Sequence, residues 1–336
     1  MAGRGISEPA SSADGLPSGA VLFGSSGSSG AEKWVVHTRE SLLCSARAVN
    51  ALLAVTAEDV FGVLLPFCHV GGFGLYARAY AAEAQCVTMD ARWSPRAAVL
   101  FLETHNVTII SLVPTQVYDL VEAELVAPSS LRVVVVGGGS LEIELGQRAR
   151  DLGWPVLQSY GMSEAGSQVA TASLDSLDVP YTNDRLSVLP IWELEASSQL
   201  TLSGPALCVG ILTSEGYHPH NQFLVQDHVE VVDGELTFYG RVDRMVKVLG
   251  ELVNLDALER AVCEAVDTKV LIVPQEDERA GASLHGFSET MVHEDEIQAV
   301  FPSYAKLRSF HQIEKFPTSA LGKLDRRALV GYLKSI

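Results

Sequence analysis

The sequence predicts an α/β fold: a large parallel-sheet domain with a small antiparallel β subdomain, followed by a separate, smaller C-terminal α+β domain. Three observations carry this expectation. Between residues 60 and 161, near-continuous apolar runs alternate with stretches of helical spacing, as in parallel strands covered on both faces. From 186 to 240 the pattern changes to short alternating segments broken by Gly and Pro, which reads as antiparallel strands. At 240–259, GRVDRMVKVLGELVNLDALE opens a new strand–turn–helix unit.

The elements follow in order. Residues 1–20 are rich in Gly, Ser, Pro and Ala and read as a flexible arm. The runs Ala-Val-Leu-Phe and Trp-Val-Val then read as a hairpin. Apolar spacing predicts a helix over 39–54, with Thr38 as N-cap. Residues 60–66 form a buried strand, and QCVTM a second. A helix over 94–104, the strand VTIISLVP, a helix from Thr115, the strand LRVVVVGGG, a helix to about Arg150 and the strand PVLQSYG complete the alternation. Domain limits are expected at 1–20 (arm), 21–242 (large domain) and 243–336 (C-terminal domain). The sequence contains no internal repeat.

Composition excludes several function classes. With 47% hydrophobic and 19% charged residues the chain is globular. Its net charge of −17 argues against a general nucleic-acid or anionic-membrane binder. The five cysteines are scattered without a C-x-x-C pair, as expected of reduced thiols in the cytoplasm. No charge-free apolar run is long enough to cross a bilayer, and the N-terminus lacks the apolar core of a signal peptide.

Candidate site residues sit at the strand ends, where open parallel sheets bind ligands. Ser25-Ser26-Gly27-Ser28-Ser29-Gly30, closed by Lys33, has the backbone freedom and donors of an anion-binding loop. The same composition also describes a flexible linker. The spacing is not that of a P-loop NTPase. His69, beside aromatics and glycines at a strand end, suits a pocket wall or a packed loop. Pro114-Thr115-Gln116, Gly137-Gly138-Gly139 and Tyr160-Gly161-Met162-Ser163-Glu164 end three further strands. Near the C-terminus, Lys323 follows Gly322 on a loop. Alone it reads as a solvated lysine or as one that swings into a neighbouring cleft.

Together these stretches resemble, in order, the adenylate-forming acyl- and aryl-CoA synthetases. The resemblance spans residues 21 to about 330. It implies that Ser25, Ser26, Gly27, Ser28, Ser29, Gly30 and Lys33 form the phosphate loop for ATP. Glu164 holds Mg²⁺, and Ser163 bonds the α-phosphate. Gly138, Gly139 and Tyr160 form the adenine slot, while Asp227 and Arg241 bind ribose. Gly240-Arg241-Val242-Asp243 looks like the family hinge, with Asp243 as pivot. Lys323, in Pro317-Thr318-Ser319-Ala320-Leu321-Gly322-Lys323, is implied to be catalytic. The turn Gly250-Glu251 is implied on the CoA side, and His69, Thr115, Gln116 and Ser167 on the pocket for a small carboxylic acid. Within the superfamily, SLVPTQVYDL and QSYGMSEAGSQVAT look most like the o-succinylbenzoate–CoA ligases of menaquinone synthesis.

The family pattern is not matched throughout. The family carries a subdomain ahead of the phosphate loop, against about twenty residues here, so the large domain is expected to be N-terminally reduced. Trp34 follows the loop lysine where Gly is usual, Ser163 replaces Thr, and Val225-Gln226 precede Asp227 in place of Thr-Gly. The Gly-x-x-Gly-x-Pro stretch expected after Glu164 is not recognisable. Besides a ligase, the readings are a domain passing its acyl group to a carrier or amine, and a non-catalytic or split homologue. Expected partners are the acid, ATP and CoA, with a second copy or a complementing chain, and no nucleic acid or membrane.

Overall fold

The structure is a computed structural model, and it describes residues 15–26, 32–196, 200–318 and 324–335. The chain divides into two compact units. The first comprises Met1–Val225 and Val229–Phe238, the second Gln226–His228 and Tyr239–Ile336.

In the first unit, β1 (Val21–Ser26) and β2 (Glu32–His37) pair as an antiparallel hairpin. Helix α1 (Arg39–Leu52) follows, capped by the Thr38 hydroxyl, which accepts from the Ser41 amide at 3.1 Å. The alternation then runs β3 (Val60–Val63), α2 (Val70–Ala82), β4 (Gln85–Thr88), α3 (Pro95–Thr104), β5 (Ile109–Leu112), α4 (Pro114–Glu122), β6 (Val133–Val136), α5 (Ile143–Asp151) and β7 (Val156–Met162). Strands β4-β3-β5-β6-β7 are parallel neighbours in that order.

Strand β6 illustrates why this sheet is covered on both faces. Val133 and Val135 pack with α1 and α2, whereas Val134 and Val136 pack with α4 and α5. Successive side chains of a strand point to opposite faces, so four consecutive valines serve two cores.

Two expectations need correction. The sheet is mixed: β8 (Ser167–Thr171), β9 (Leu186–Val188) and β16 (Glu235–Arg241) extend it antiparallel beyond β7, with β15 (Asp227–Val232) at the edge. The segment 186–240 does not build one subdomain. Strands β9, β15 (Asp227–Val232) and β16 (Glu235–Arg241) join the main sheet. Strands β10 (Glu193–Ala196), β11 (Leu200–Ser203) and β14 (Gln222–Val225) form their own sheet. Strand β12 (Gly210–Thr213) pairs with β2, and β13 (Gly216–Pro219) pairs with β12. Alternation reveals strands but not partners, because each short strand has one apolar face for any sheet.

Helix α2 is absent from the sequence reading, since Gly71, Gly72 and Gly74 disguise it. Gly72 is needed there: a Cβ would lie 2.2 Å from the Pro66 carbonyl oxygen.

The second unit contains the hairpin β17 (Met245–Val248) and β18 (Glu251–Asn254), then α6 (Leu255–Val266). Strands β19 (Val270–Asp277), β20 (Gly281–Ser288) and β21 (Leu307–Gln312) form its three-stranded sheet, with α7 (Glu294–Val300) and α8 (Arg326–Leu333). Among the described residues no helix is long and apolar enough to cross a membrane.

Candidate active site

The carboxyl ends of four parallel strands carry most candidates of the first unit. His69 is the N-cap residue of α2, after β3. Thr115 and Gln116 lie in the first turn of α4, after β5. Gly138 and Gly139 follow β6, and Ser163 and Glu164 follow β7. The strand order reverses between β3 and β5, the switch point where open α/β sheets leave a crevice.

Strand β2 meets the turn after β7 with two side chains. Lys33 and His37 are four residues apart, so they share a strand face. The Lys33 ammonium donates to Glu164 Oε1 at 2.8 Å. His37 Nε2 lies 2.7 Å from the Ser163 carbonyl oxygen, and its Nδ1 lies 3.0 Å from Ser41 Oγ. His37 is fully buried, and that burial lowers its pKa despite the Ser163 bond and the charge of Glu164, which pull upward. On the other side, the Cys208 amide donates to the Glu164 carbonyl at 2.8 Å. The Cys208 thiol, 3.1 Å from His220 Nε2, is pushed up to about 12 by burial and by the charge of Glu164. It is a neutral thiol donor, not a thiolate.

Around Ser167 the charge balance is unusual. Arg78, on α2, is 1% exposed and donates through Nη2 to Ser167 Oγ at 3.1 Å. Its Nη1 is buried with no hydrogen-bond partner among the described residues. Burial lowers its pKa to about 10. Gly74 packs directly against it: a Cβ there would stand 3.3 Å from Arg78 Nη2 and 3.6 Å from Ser167 Oγ. Ser167 itself has φ +123°, a strained value outside glycine. Its carbonyl comes so close to Gly161 that a Cβ there would lie 1.8 Å away.

The glycine loop after β6 is held from β7. The Gln158 amide donates to the Gly139 carbonyl at 3.1 Å, and its oxygen accepts from the Leu141 amide at 2.8 Å. Tyr160, 8% exposed, sits with its ring centroid 5.7 Å from that of Phe238. Gln116 is buried, and its oxygen accepts from the Val113 amide at 3.1 Å, while Thr115 is exposed.

In the second unit, Arg241 Nη1 stands 3.7 Å from Asp227 Oδ1, and the Val242 amide donates to the Gln226 carbonyl at 2.9 Å. The β17–β18 turn is Leu249-Gly250, with φ +52° and +89°, the two-residue hairpin type that needs positive φ twice. Glu251, at its end, is exposed. Gly27, Ser28, Ser29, Gly30 and Lys323 lie outside the described residues, as do the side chains of Ser25, Ser26 and Asp243.

Sequence reasoning missed three residues here. His37 carried a signal, being two strand periods from Lys33. Gln158 carried one too, as a polar residue in an apolar strand. Arg78 carried only its charge within an apolar helix.

A family profile described as AMP-binding enzyme matches residues 9–195. The 2-succinylbenzoate–CoA ligase of Escherichia coli (strain K12) is 30% identical over 262 residues, 76% of this chain and 55% of its own length. That of Staphylococcus epidermidis (strain ATCC 12228) is 25% identical over 93% of this chain and 69% of its own. The chain thus spans about half the length of the Escherichia coli relative. In fold it is similar to the O-succinylbenzoate coenzyme A synthetase of Bacillus subtilis in complex with ATP and magnesium ion. The TM-score is 0.80 and the identity 23%, covering 92% of this chain and 69% of that one. It is also similar to an amide bond synthetase from Marinactinospora thermotolerans, with TM-score 0.77 and 19% identity, covering 94% and 70% of the two chains.

Proposed function

Because this chain belongs to the AMP-binding enzyme family, we propose that it is an ATP-dependent acid–CoA ligase acting on o-succinylbenzoate. The observation that carries this reading is the Lys33–Glu164 pair. A lysine closing a serine–glycine loop and the carboxylate of a Tyr-Gly-x-Ser-Glu turn meet at 2.8 Å across 131 residues of sequence.

A carboxylate is a poor electrophile, and two displacements overcome this. Its oxygen attacks the α-phosphorus of ATP, and the bond to pyrophosphate breaks. The CoA sulfur then attacks the acyl carbon, AMP leaves, and the thiol proton is released. Negative charge develops on phosphate oxygens, so positioned donors supply most of the catalysis. Lys33, with the loop ahead of it, is assigned to the β- and γ-phosphates, and Ser163 to the α-phosphate. Gly138, Gly139 and Tyr160 are assigned to adenine, and Asp227 and Arg241 to ribose. Lys323 is assigned to the α-phosphate and acid oxygens, Asp243 to the hinge, and Gly250 and Glu251 to the CoA step. His69, Thr115, Gln116 and Ser167 are assigned to the acid pocket.

The donor set suits a magnesium ion that arrives on the phosphates. It offers the buried carboxylate of Glu164, and among the described residues no three His, Cys, Asp or Glu side chains cluster to hold a metal unaided. When bound, magnesium would neutralise charge on the phosphates. The choice of acid is supported by Arg78. o-Succinylbenzoate has two carboxylates: one is activated, and the other gives the unpaired guanidinium an anion.

Incubation with ATP, Mg²⁺, CoA and o-succinylbenzoate should yield AMP and the CoA thioester, detected by mass spectrometry. Glu164→Gln should lower the rate about 10²-fold or more, a loss of roughly 3 kcal/mol of transition-state stabilisation. ATP binding without AMP formation from any aryl or acyl acid would overturn the ligase reading.

A further inference from the structure

We propose that His37 is a positioning residue that sets the place of the Glu164 carboxylate. The inference rests on the reading of Glu164 as the magnesium ligand. Three carbonyls of the turn that carries Glu164 are each held by a different group. Ser163 O faces His37 Nε2 at 2.7 Å, and Gly166 O accepts from the Ser45 hydroxyl at 3.1 Å. Glu164 O, between them, accepts from the Cys208 amide at 2.8 Å. A carbonyl only accepts, so Nε2 carries the proton. In the neutral ring Nδ1 is then bare and faces the Ser41 hydroxyl at 3.0 Å. Ser41 is itself fixed by the cap of α1, its amide bonded to Thr38 Oγ1 at 3.1 Å. The Ser163 carbonyl thus sets the tautomer of His37, and His37 holds the turn.

The packing leaves little slack. His37 and Ala165 are fully buried, and a Cβ on Gly166 would come within 3.4 Å of His37 Cε1 and 3.5 Å of Ser45 Cβ. The same strand face supplies Lys33 to the carboxylate and His37 to the backbone beneath it. Without the imidazole donor, Ser163 O keeps only the Gly166 amide at 3.2 Å. The turn loosens, and the carboxylate loses its fixed place. Groups that orient a metal ligand from behind in this way typically change metal affinity by about 10–100-fold.

The test is calorimetric ATP binding to the full chain, with Mg²⁺ and with EDTA. His37→Met, which fills the space without a donor, should lose about 10–100-fold of the Mg²⁺-dependent gain in affinity while metal-free ATP binding stays near wild type. His37→Gln, which keeps a donor of similar reach, should restore most of that gain. Unchanged Mg²⁺ dependence in His37→Met, or equal impairment of the Met and Gln variants, would overturn the proposal. Should His37→Met fail to fold, Ser45→Ala must weaken the Mg²⁺ gain in the same direction, and no change there would overturn it equally. A wild-type chain whose ATP affinity ignores Mg²⁺ would instead overturn the assignment of Glu164, and this inference with it.

Discussion

Removing a guanidinium from water without a counter-charge is expensive, and Arg78 is buried in this way. Burial lowers its pKa to about 10, so carrying the cation costs the folded chain on the order of 3 kcal/mol at neutral pH. Arg78→Met should therefore leave the urea midpoint unchanged or raise it, since an unpaired buried charge is exchanged for an apolar chain of similar length. The same variant should lose about 10–100-fold in kcat/KM for o-succinylbenzoate relative to a monocarboxylic analogue, as expected for a charge-assisted bond worth about 1.5–3 kcal/mol. Steady-state kinetics with both acids checks this. Marked destabilisation with unchanged acid preference would make Arg78 a packing residue. At this scale Lys33 and Glu164 were legible because each stands in a motif, and the structure brings them to 2.8 Å. Arg78 was not, because burial of one arginine is decided by how α2 packs against the Ser167 strand.

Between elements, polar staples fix what the apolar pattern leaves open. Asp59, just before β3, takes two bonds of 2.7 Å from Arg132, just before β6. Arg132 also donates to the Leu53 carbonyl at the end of α1 at 2.9 Å. Burial alone would raise the Asp59 pKa, but the bonds from Arg132, the Thr56 amide and Thr108 override it and hold it at about 2, below its ordinary 3.8. A depressed carboxylate stabilises the fold above its unfolded pKa and loses that contribution as pH falls through its folded one. The window is thus from pH 3.8 down to about 2, and the contribution is roughly 2 kcal/mol. Urea unfolding of wild type and Asp59→Asn should give a stability gap that is constant above pH 5 and shrinks by about that amount towards pH 2. A gap that does not change with pH would mean the staple acts without its charge. The elements themselves were largely legible: the hairpin β1–β2, the Thr38 cap and the alternation from β3 to β7 all follow from period and caps. Helix α2 was hidden because the glycine that lets it approach Pro66 erases its apolar stripe. The destinations of β9 to β16 were hidden because pairing is a tertiary choice.

At the scale of the whole molecule, the residues assigned to the nucleotide divide between the two units. Lys33, Tyr160, Ser163 and Glu164 belong to the first, and Asp227, Arg241 and Lys323 to the second. Within the second unit a buried charge network ties its parts together. Glu259, 8% exposed, accepts from Arg244, from Arg326 at 2.7 Å and from the Ile272 amide at 2.7 Å. Arg244 follows the expected pivot, and Arg326 begins α8, three residues beyond Lys323. Thr318 bridges to Leu324, and the Asp325 amide donates to the Pro317 carbonyl at 2.8 Å, so the ends of the lysine segment are held together. Assigned to the α-phosphate and the attacking acid oxygens, Lys323 is proposed to act in the first displacement, so its loss should affect the two half-reactions unequally. Lys323→Ala should therefore slow pyrophosphate release from ATP and o-succinylbenzoate by about 10²–10³-fold, roughly 3–4 kcal/mol. Thioester formation from supplied acyl-adenylate and CoA should proceed at the wild-type rate, measured by rapid quench. Equal slowing of both steps would mean that Lys323 acts through the stability of its unit, and the division of labour between the units would have to be assigned to other residues.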